Sequence, residues 1–259
     1  MALREAREEV AVYVESDLAL VRGRPSLERV GVAYDELCKH YRILAGCALL
    51  LDGDVDEYAD MLTRSGHARV HLLERLSENP AMRNPYLAAG NADALFDALA
   101  AGNFGLARII ASLSPTQWWK GEEYEEDFHF AHFFHLLIRD RTRFDAELDM
   151  AVDQLAQATD DDEAARPRLC KALRESDQTG FSDAFARLLE ERDLELAEDK
   201  QKFWPDGKIG LRIKSELFTE ALALLNVADQ VGLRTEREYP YCPALARQPS
   251  GRSFASTPI

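Results

Sequence analysis

The sequence lacks the features that mark secreted, membrane and disulfide-bonded proteins. Its four cysteines, Cys38, Cys47, Cys170 and Cys242, are scattered and form no CxxC pair. We therefore expect reduced thiols rather than a disulfide framework. No run of about 18 apolar residues is present, and the charged first residues contain no apolar segment typical of a signal peptide. We expect a cytoplasmic protein without a membrane segment.

Catalytic motifs are equally scarce. The chain has no glycine-rich phosphate loop, no GxSxG elbow and no Cys or Ser in a recognisable nucleophile context. Residues 52–57 superficially resemble a calcium loop, but the sixth position is not Gly and the twelfth is Thr63 rather than Glu. These absences remove the positive arguments for an enzyme, and we predict a non-enzymatic protein without a cofactor.

Basic residues are outnumbered by acidic ones. The 259 residues include 31 Lys and Arg against 46 Asp and Glu, which gives a formal net charge of −15 at pH 7. Such a surface repels nucleic acid backbones and anionic lipid headgroups and favours encounter with basic proteins. We therefore predict no nucleic acid partner, no membrane partner and a basic protein partner. The alternative is that the charge serves solubility alone.

The sequence does contain helical periodicity. Apolar residues recur at three- and four-residue spacing almost throughout, and strand-like alternation is missing. We predict an all-α fold of about ten helices packed as antiparallel hairpins. The predicted helices cover residues 3–22, 27–51, 55–77, 86–89, 92–101, 104–113, 123–138, 141–158, 164–176, 178–198 and 211–231.

The predicted helices belong to one domain. We assign residues 1–238 to it, and the only plausible internal boundary is the loop near residues 78–86, which contains two Asn-Pro pairs. Residues 239–259 contain four prolines and are predicted to form an extended tail.

The most distinctive segment runs from Ser114 to Phe128. It contains two adjacent tryptophans and five carboxylates in six positions, namely Trp118, Trp119, Glu122, Glu123, Glu125, Glu126 and Asp127. Adjacent tryptophans cannot share one helix face, so at least one is expected at the surface or in a groove between helices. A rigid aromatic residue beside an acidic ridge suits a basic protein partner, and we predict that these residues bind it. The alternative is that the tryptophans are core anchors and the acids form a solvated helix start.

Three histidines, His129, His132 and His135, follow in the same predicted helix. The Glu126-x-x-His129 spacing matches that of carboxylate-bridged di-iron bundles, which makes a metal-dependent helical-bundle enzyme a further possibility. No second Glu-x-x-His motif exists, and no third ligand is identified for a zinc site. Aromatic packing explains the histidine run at least as well, and we predict no metal site.

The tetrapeptide Ala-Ala-Gly-Asn occurs at residues 88–91 and again at residues 100–103. Glycine after an alanine-rich turn predicts a helix C-cap, so two such stops indicate tight helix–turn–helix packing. The duplication suggests an alternative function, a helical-hairpin scaffold that binds peptides or other proteins in a concave groove.

Several segments together resemble a known family. They are Gly102–Arg108, Leu113–Pro115, Trp119, Gly121–Phe128, Leu173–Asp177, Glu216–Ala228 and Tyr239–Pro243. Their order resembles the all-α immunity proteins of bacterial polymorphic toxin systems, in particular immunity protein 49, over roughly residues 86–245. The resemblance implies a non-enzymatic protein that binds and neutralises a co-encoded toxin in the producing cell. A basic toxin domain, such as a nuclease, would suit the acidic surface; the toxin's identity and the oligomeric state stay open.

Overall fold

The structure, a computed structural model, describes residues 3–23, 26–78, 82–140, 144–161, 163–203 and 209–247. Within these ranges the chain forms eleven α-helices and no β-strand, which confirms the all-α prediction. The helices are α1 (Leu3–Arg22), α2 (Leu27–Cys47), α3 (Val55–Ser77), α4 (Asp93–Ala100), α5 (Phe104–Leu113), α6 (Glu125–Asp140), α7 (Asp145–Ala158), α8 (Ala165–Glu175), α9 (Gln178–Phe203), α10 (Ile209–Lys214) and α11 (Thr219–Gln230). A π-helical turn covers Ala48–Asp52, and 3-10 helices cover Pro85–Leu87 and Ala244–Arg247.

Consecutive helices pack against each other, as expected of helical hairpins. The pairs α1–α2, α2–α3, α6–α7 and α8–α9 have extensive contacts, and the later helix α11 packs on α4. Short polar side chains cap the starts of two helices. Asp54 accepts a hydrogen bond from the Glu57 N–H at 2.8 Å before α3, and Asn103 accepts one from the Leu106 N–H at 3.1 Å before α5.

The two copies of Ala-Ala-Gly-Asn have different structural roles. Gly102 has a φ of +74° and ends α4 as a left-handed C-cap, as predicted. Gly90 is not left-handed and follows a 3-10 helix instead of an α-helix, so the C-cap prediction is wrong there. Gly90 lies close to two acidic residues: an added Cβ would be 2.9 Å from Glu123 Oε2 and 3.1 Å from Asp127 Cβ.

An ion pair between a half-buried arginine and a buried aspartate connects α2, α3 and α4. Arg42 of α2 donates to both carboxylate oxygens of Asp97 in α4, at 2.7 and 2.8 Å. Ser65 of α3 donates to the same carboxylate at 2.5 Å. Asp97 is fully buried, and burial raises its pKa against the opposing effect of Arg42 and Ser65. The hydrogen bonds from Arg42 and Ser65 therefore stabilise this buried carboxylate.

The loop near residues 78–86 lies between helices that share one hydrophobic core. The core cluster includes buried residues on both sides of the loop, from α2 and α3 to α11. Arg69 of α3 is buried and donates to the carbonyl oxygens of Tyr86 and Ala88, the latter at 2.7 Å. The assignment of residues 1–238 to one domain stays a prediction. The Asn79-Pro80 pair lies outside the described residues.

The prediction of one last helix over residues 211–231 is wrong in one respect, because the helix is interrupted between α10 and α11. The break is stabilised by hydrogen bonds with residues that are distant in sequence. The Phe218 N–H donates to the Tyr241 carbonyl at 2.9 Å, and Arg192 of α9 donates to the Lys214 carbonyl at 2.9 Å. These bonds replace the helical hydrogen bonds that the break removes.

The start of the predicted extended tail is folded. Tyr239 and Cys242 form a tight turn, and Ala244–Arg247 is a 3-10 helix. Cys242 is fully buried, so this segment packs against the helices because it has an apolar side chain to bury. Residues 248–259 lie outside the described residues.

The ion pair predicts that two carboxylates bound to one guanidinium contribute very differently to the free energy of unfolding. Arg42 also donates to Asp93 at 2.8 Å, but the Asp93 side chain is 67% exposed. We expect Asp97→Ala to lower the free energy of unfolding by about 1–3 kcal/mol, because it leaves the Ser65 hydroxyl and the half-buried Arg42 guanidinium without their buried acceptor. Asp93→Ala should cost less than about 1 kcal/mol. Urea denaturation of both variants measures the difference, and equal losses would contradict this role of Asp97.

Candidate partner-binding surface

The two adjacent tryptophans differ in burial. Trp119 is 8% exposed, and the Arg83 guanidinium lies 4.4 Å from its ring centroid. Trp118 is half-buried and donates from its indole N–H to the Glu123 backbone carbonyl at 3.3 Å. Trp119 is therefore packed in the core, whereas Trp118 retains exposed surface.

Glu123 joins two loops through both of its carboxylate oxygens. One oxygen accepts the Gly90 N–H at 2.6 Å and the other accepts the Trp119 N–H at 3.0 Å. Burial raises the pKa of Glu123, and the two backbone donors act against this effect. Both oxygens are thus used inside the chain, which gives Glu123 a role in the fold.

Asp127 belongs to a network that connects α6, α8 and α11. Arg166 of α8 forms ion pairs with Asp127 at 3.0 Å and with Glu220 of α11 at 2.9 Å. The same guanidinium lies 4.5 Å from the ring centroid of Phe130. Asp127 is therefore neutralised by a neighbouring helix, unlike most of the acidic ridge.

Glu122, Glu125 and Glu126 are the carboxylates of the ridge that have no strong ion pair within the described ranges. Glu122 and Glu126 form no ion pair with any residue in the described ranges. Glu125 lies 3.8 Å from His129 Nε2, a weak contact with a partner that is charged only when protonated. The proposed contact of the ridge with a partner therefore depends mainly on these three residues.

Sequence reasoning missed Tyr124, which lies within the acidic ridge. Its side chain is 76% exposed, the highest value among the exposed large hydrophobic residues of the described ranges. Its carbonyl accepts the Phe128 N–H at 3.1 Å, which is the first hydrogen bond of α6. A tyrosine between four glutamates at a helix start was the available signal, because such a position faces solvent.

An open groove of about 580 Å³ lies beside Tyr124. Its lining includes Pro85, Ala88, Gly90, Glu122, Tyr124 and Asp127. The groove thus lies between the segment before α4 and the start of α6, which Glu123 holds together.

The histidine run packs with aromatic residues. His132 stacks on Phe128, with ring centroids 5.3 Å apart and an interplanar angle of 10°. Burial lowers the pKa of His135 to about 3 and also lowers the pKa of His129 and of His132. Among the described residues, no group of three or more His, Cys, Asp or Glu side chains could hold a metal ion.

The cysteines lie inside the helical packing. All four are buried free thiols. Burial raises the pKa of Cys38 and of Cys242 to about 12, so both thiols stay protonated near neutral pH. No helix in the described ranges is long and apolar enough to cross a membrane.

Glu122 and Glu123 are a matched pair for separating fold from surface. We expect Glu123→Ala to lower the free energy of unfolding by about 1–3 kcal/mol, because it leaves the Gly90 and Trp119 N–H groups without an acceptor. Glu122→Ala should change it by less than about 0.5 kcal/mol. Thermal or urea unfolding of the two variants checks this, and a Glu122 effect as large as that of Glu123 would refute the assignment.

Comparison with known families places this surface in context. The family model described as immunity protein 49 matches residues 46–246. The match begins in α2, about 40 residues before the resemblance noted in the sequence, and it includes the ridge, Tyr124 and the groove. No curated protein and no solved structure matches the chain. Because the match covers most of its length, the chain belongs to the immunity protein 49 family.

Proposed function

We propose that the chain is an immunity protein that neutralises a co-encoded bacterial toxin by direct protein–protein binding in the cytoplasm. The observation that carries this proposal is the family match over residues 46–246. Neutralisation needs a binding surface and no catalytic group, which suits a chain without a recognisable catalytic motif.

The charge of the chain favours a basic toxin. A net charge of −15 attracts a positively charged partner, and toxins that act on nucleic acids need such a surface. We propose that the toxin contacts Trp118 and the available carboxylates Glu122, Glu125 and Glu126. Glu123, Asp127 and Trp119 support this surface from within, through the hydrogen bonds and packing described above.

The scaffold alternative loses part of its motivation. It rested on the repeated tetrapeptide, but Gly90 and Gly102 have different backbone conformations, so the two copies do not repeat one structural unit. The alternatives also differ in what they bind. A scaffold should bind several unrelated proteins, whereas an immunity protein should bind one neighbour tightly.

The proposal is tested by expressing the neighbouring gene with and without this chain. We expect the neighbour to kill the cells, this chain to restore growth, and the two proteins to elute together during purification. An acidic all-α protein without a family relationship serves as the control and should not restore growth. A harmless neighbour that does not co-elute with this chain would contradict the proposal and favour the scaffold.

A further inference from the structure

Tyr124 is an exposed aromatic residue on a fixed backbone. Its carbonyl accepts the first hydrogen bond of α6. The carboxylate of the preceding residue, Glu123, accepts hydrogen bonds from the Gly90 and Trp119 N–H groups. A rigid aromatic side chain offers a large contact area at a low cost in conformational entropy. These are the properties of the residues that dominate binding energy at protein interfaces.

The groove beside Tyr124 carries negative charge that the described part of the chain does not neutralise. Glu122 lines it and has no ion-pair partner there. Arg166 is engaged with Asp127 and Glu220. Lys120 lies against the Trp118 ring, with its ammonium 5.9 Å from the ring centroid.

Part of the groove lining consists of residues with short, uncharged side chains. Pro85, Ala88 and Gly90 contribute no long side chain, so a long, thin side chain from a partner has room beside them. The positive end of the α6 dipole is equivalent to about half a charge. The full charges of the acidic ridge therefore outweigh it, and the groove favours a cation.

From these observations we propose that Tyr124, Glu122 and the groove between them form the recognition point for an arginine side chain on the toxin. This inference rests on the proposed function. A planar guanidinium can stack on the tyrosine ring and also pair with the Glu122 carboxylate. An ammonium group cannot stack in this way, which favours arginine over lysine as the occupant.

The test measures the affinity of this chain for the purified protein encoded beside its gene. We expect Tyr124→Ala to weaken binding by about 30-fold or more, the effect of a hot-spot residue. Tyr124→Phe keeps the ring and should stay within about 3-fold of wild type. Glu122→Lys should weaken binding by about 10-fold or more, because it places a cation beside the arginine.

Two residues of α7 provide matched controls. Met150 is 56% exposed and Asp153 is also exposed. We expect Met150→Ala and Asp153→Lys to leave the affinity unchanged, since they alter the same kinds of surface away from the groove. Unfolding curves identify any variant that has lost its fold.

A double-mutant cycle identifies the occupant. Each toxin arginine is changed to alanine, and we expect one of them to couple with Tyr124→Ala. Coupling only to residues other than arginine would overturn the choice of occupant. If the wild-type chain binds its neighbour and neither Tyr124→Ala nor Glu122→Lys weakens that binding, the groove is not the recognition point. The proposed immunity function would then still stand. If the wild-type chain does not bind its neighbour, both proposals are wrong.

Discussion

The ion pair between Arg42 and Asp97 fixes the relative positions of α2, α3 and α4, and the candidate surface depends on that arrangement. Arg42 and Ser65 donate hydrogen bonds to the fully buried Asp97 carboxylate. Beside this pair, Arg69 of α3 holds the carbonyls of Tyr86 and Ala88. The buried Arg69 guanidinium thus anchors the segment that leads into the groove.

This arrangement extends to the surface through Glu123. The segment held by Arg69 ends at Gly90, whose N–H donates to the Glu123 carboxylate. The same carboxylate binds the Trp119 amide and so holds the turn that leads to Tyr124. Core and surface are therefore connected by hydrogen bonds between backbone and side chain. These hydrogen bonds hold the backbone of the exposed residues in a fixed position. A surface held in this way loses little entropy on binding.

Sequence patterns located most helices, because local signals define them. The predicted bounds of α1, α3 and α5 agree with the structure. The break between α10 and α11 was missed because it contains no Gly or Pro and depends on hydrogen bonds from Arg192 and to Tyr241, which lie far away in sequence. Local patterns do not encode such contacts.

The candidate surface was predictable only as a segment. Composition identified the acidic ridge, but Glu122 and Glu123 are adjacent and chemically identical. Only their three-dimensional contacts show that the Glu123 carboxylate joins two loops, whereas Glu122 forms no ion pair within the described ranges. Tyr124 was overlooked because an aromatic residue by itself favours a core position, although the four glutamates around it indicated a position that faces solvent.

Hydrogen–deuterium exchange of the chain alone and with the purified neighbouring protein tests the account most directly. If the chain is an immunity protein that binds through this surface, exchange should slow in residues 118–128 and in residues 85–91, while residues 145–158 of α7 stay unchanged. Protection confined to α7 or to other helices, with residues 118–128 unchanged, would contradict the account.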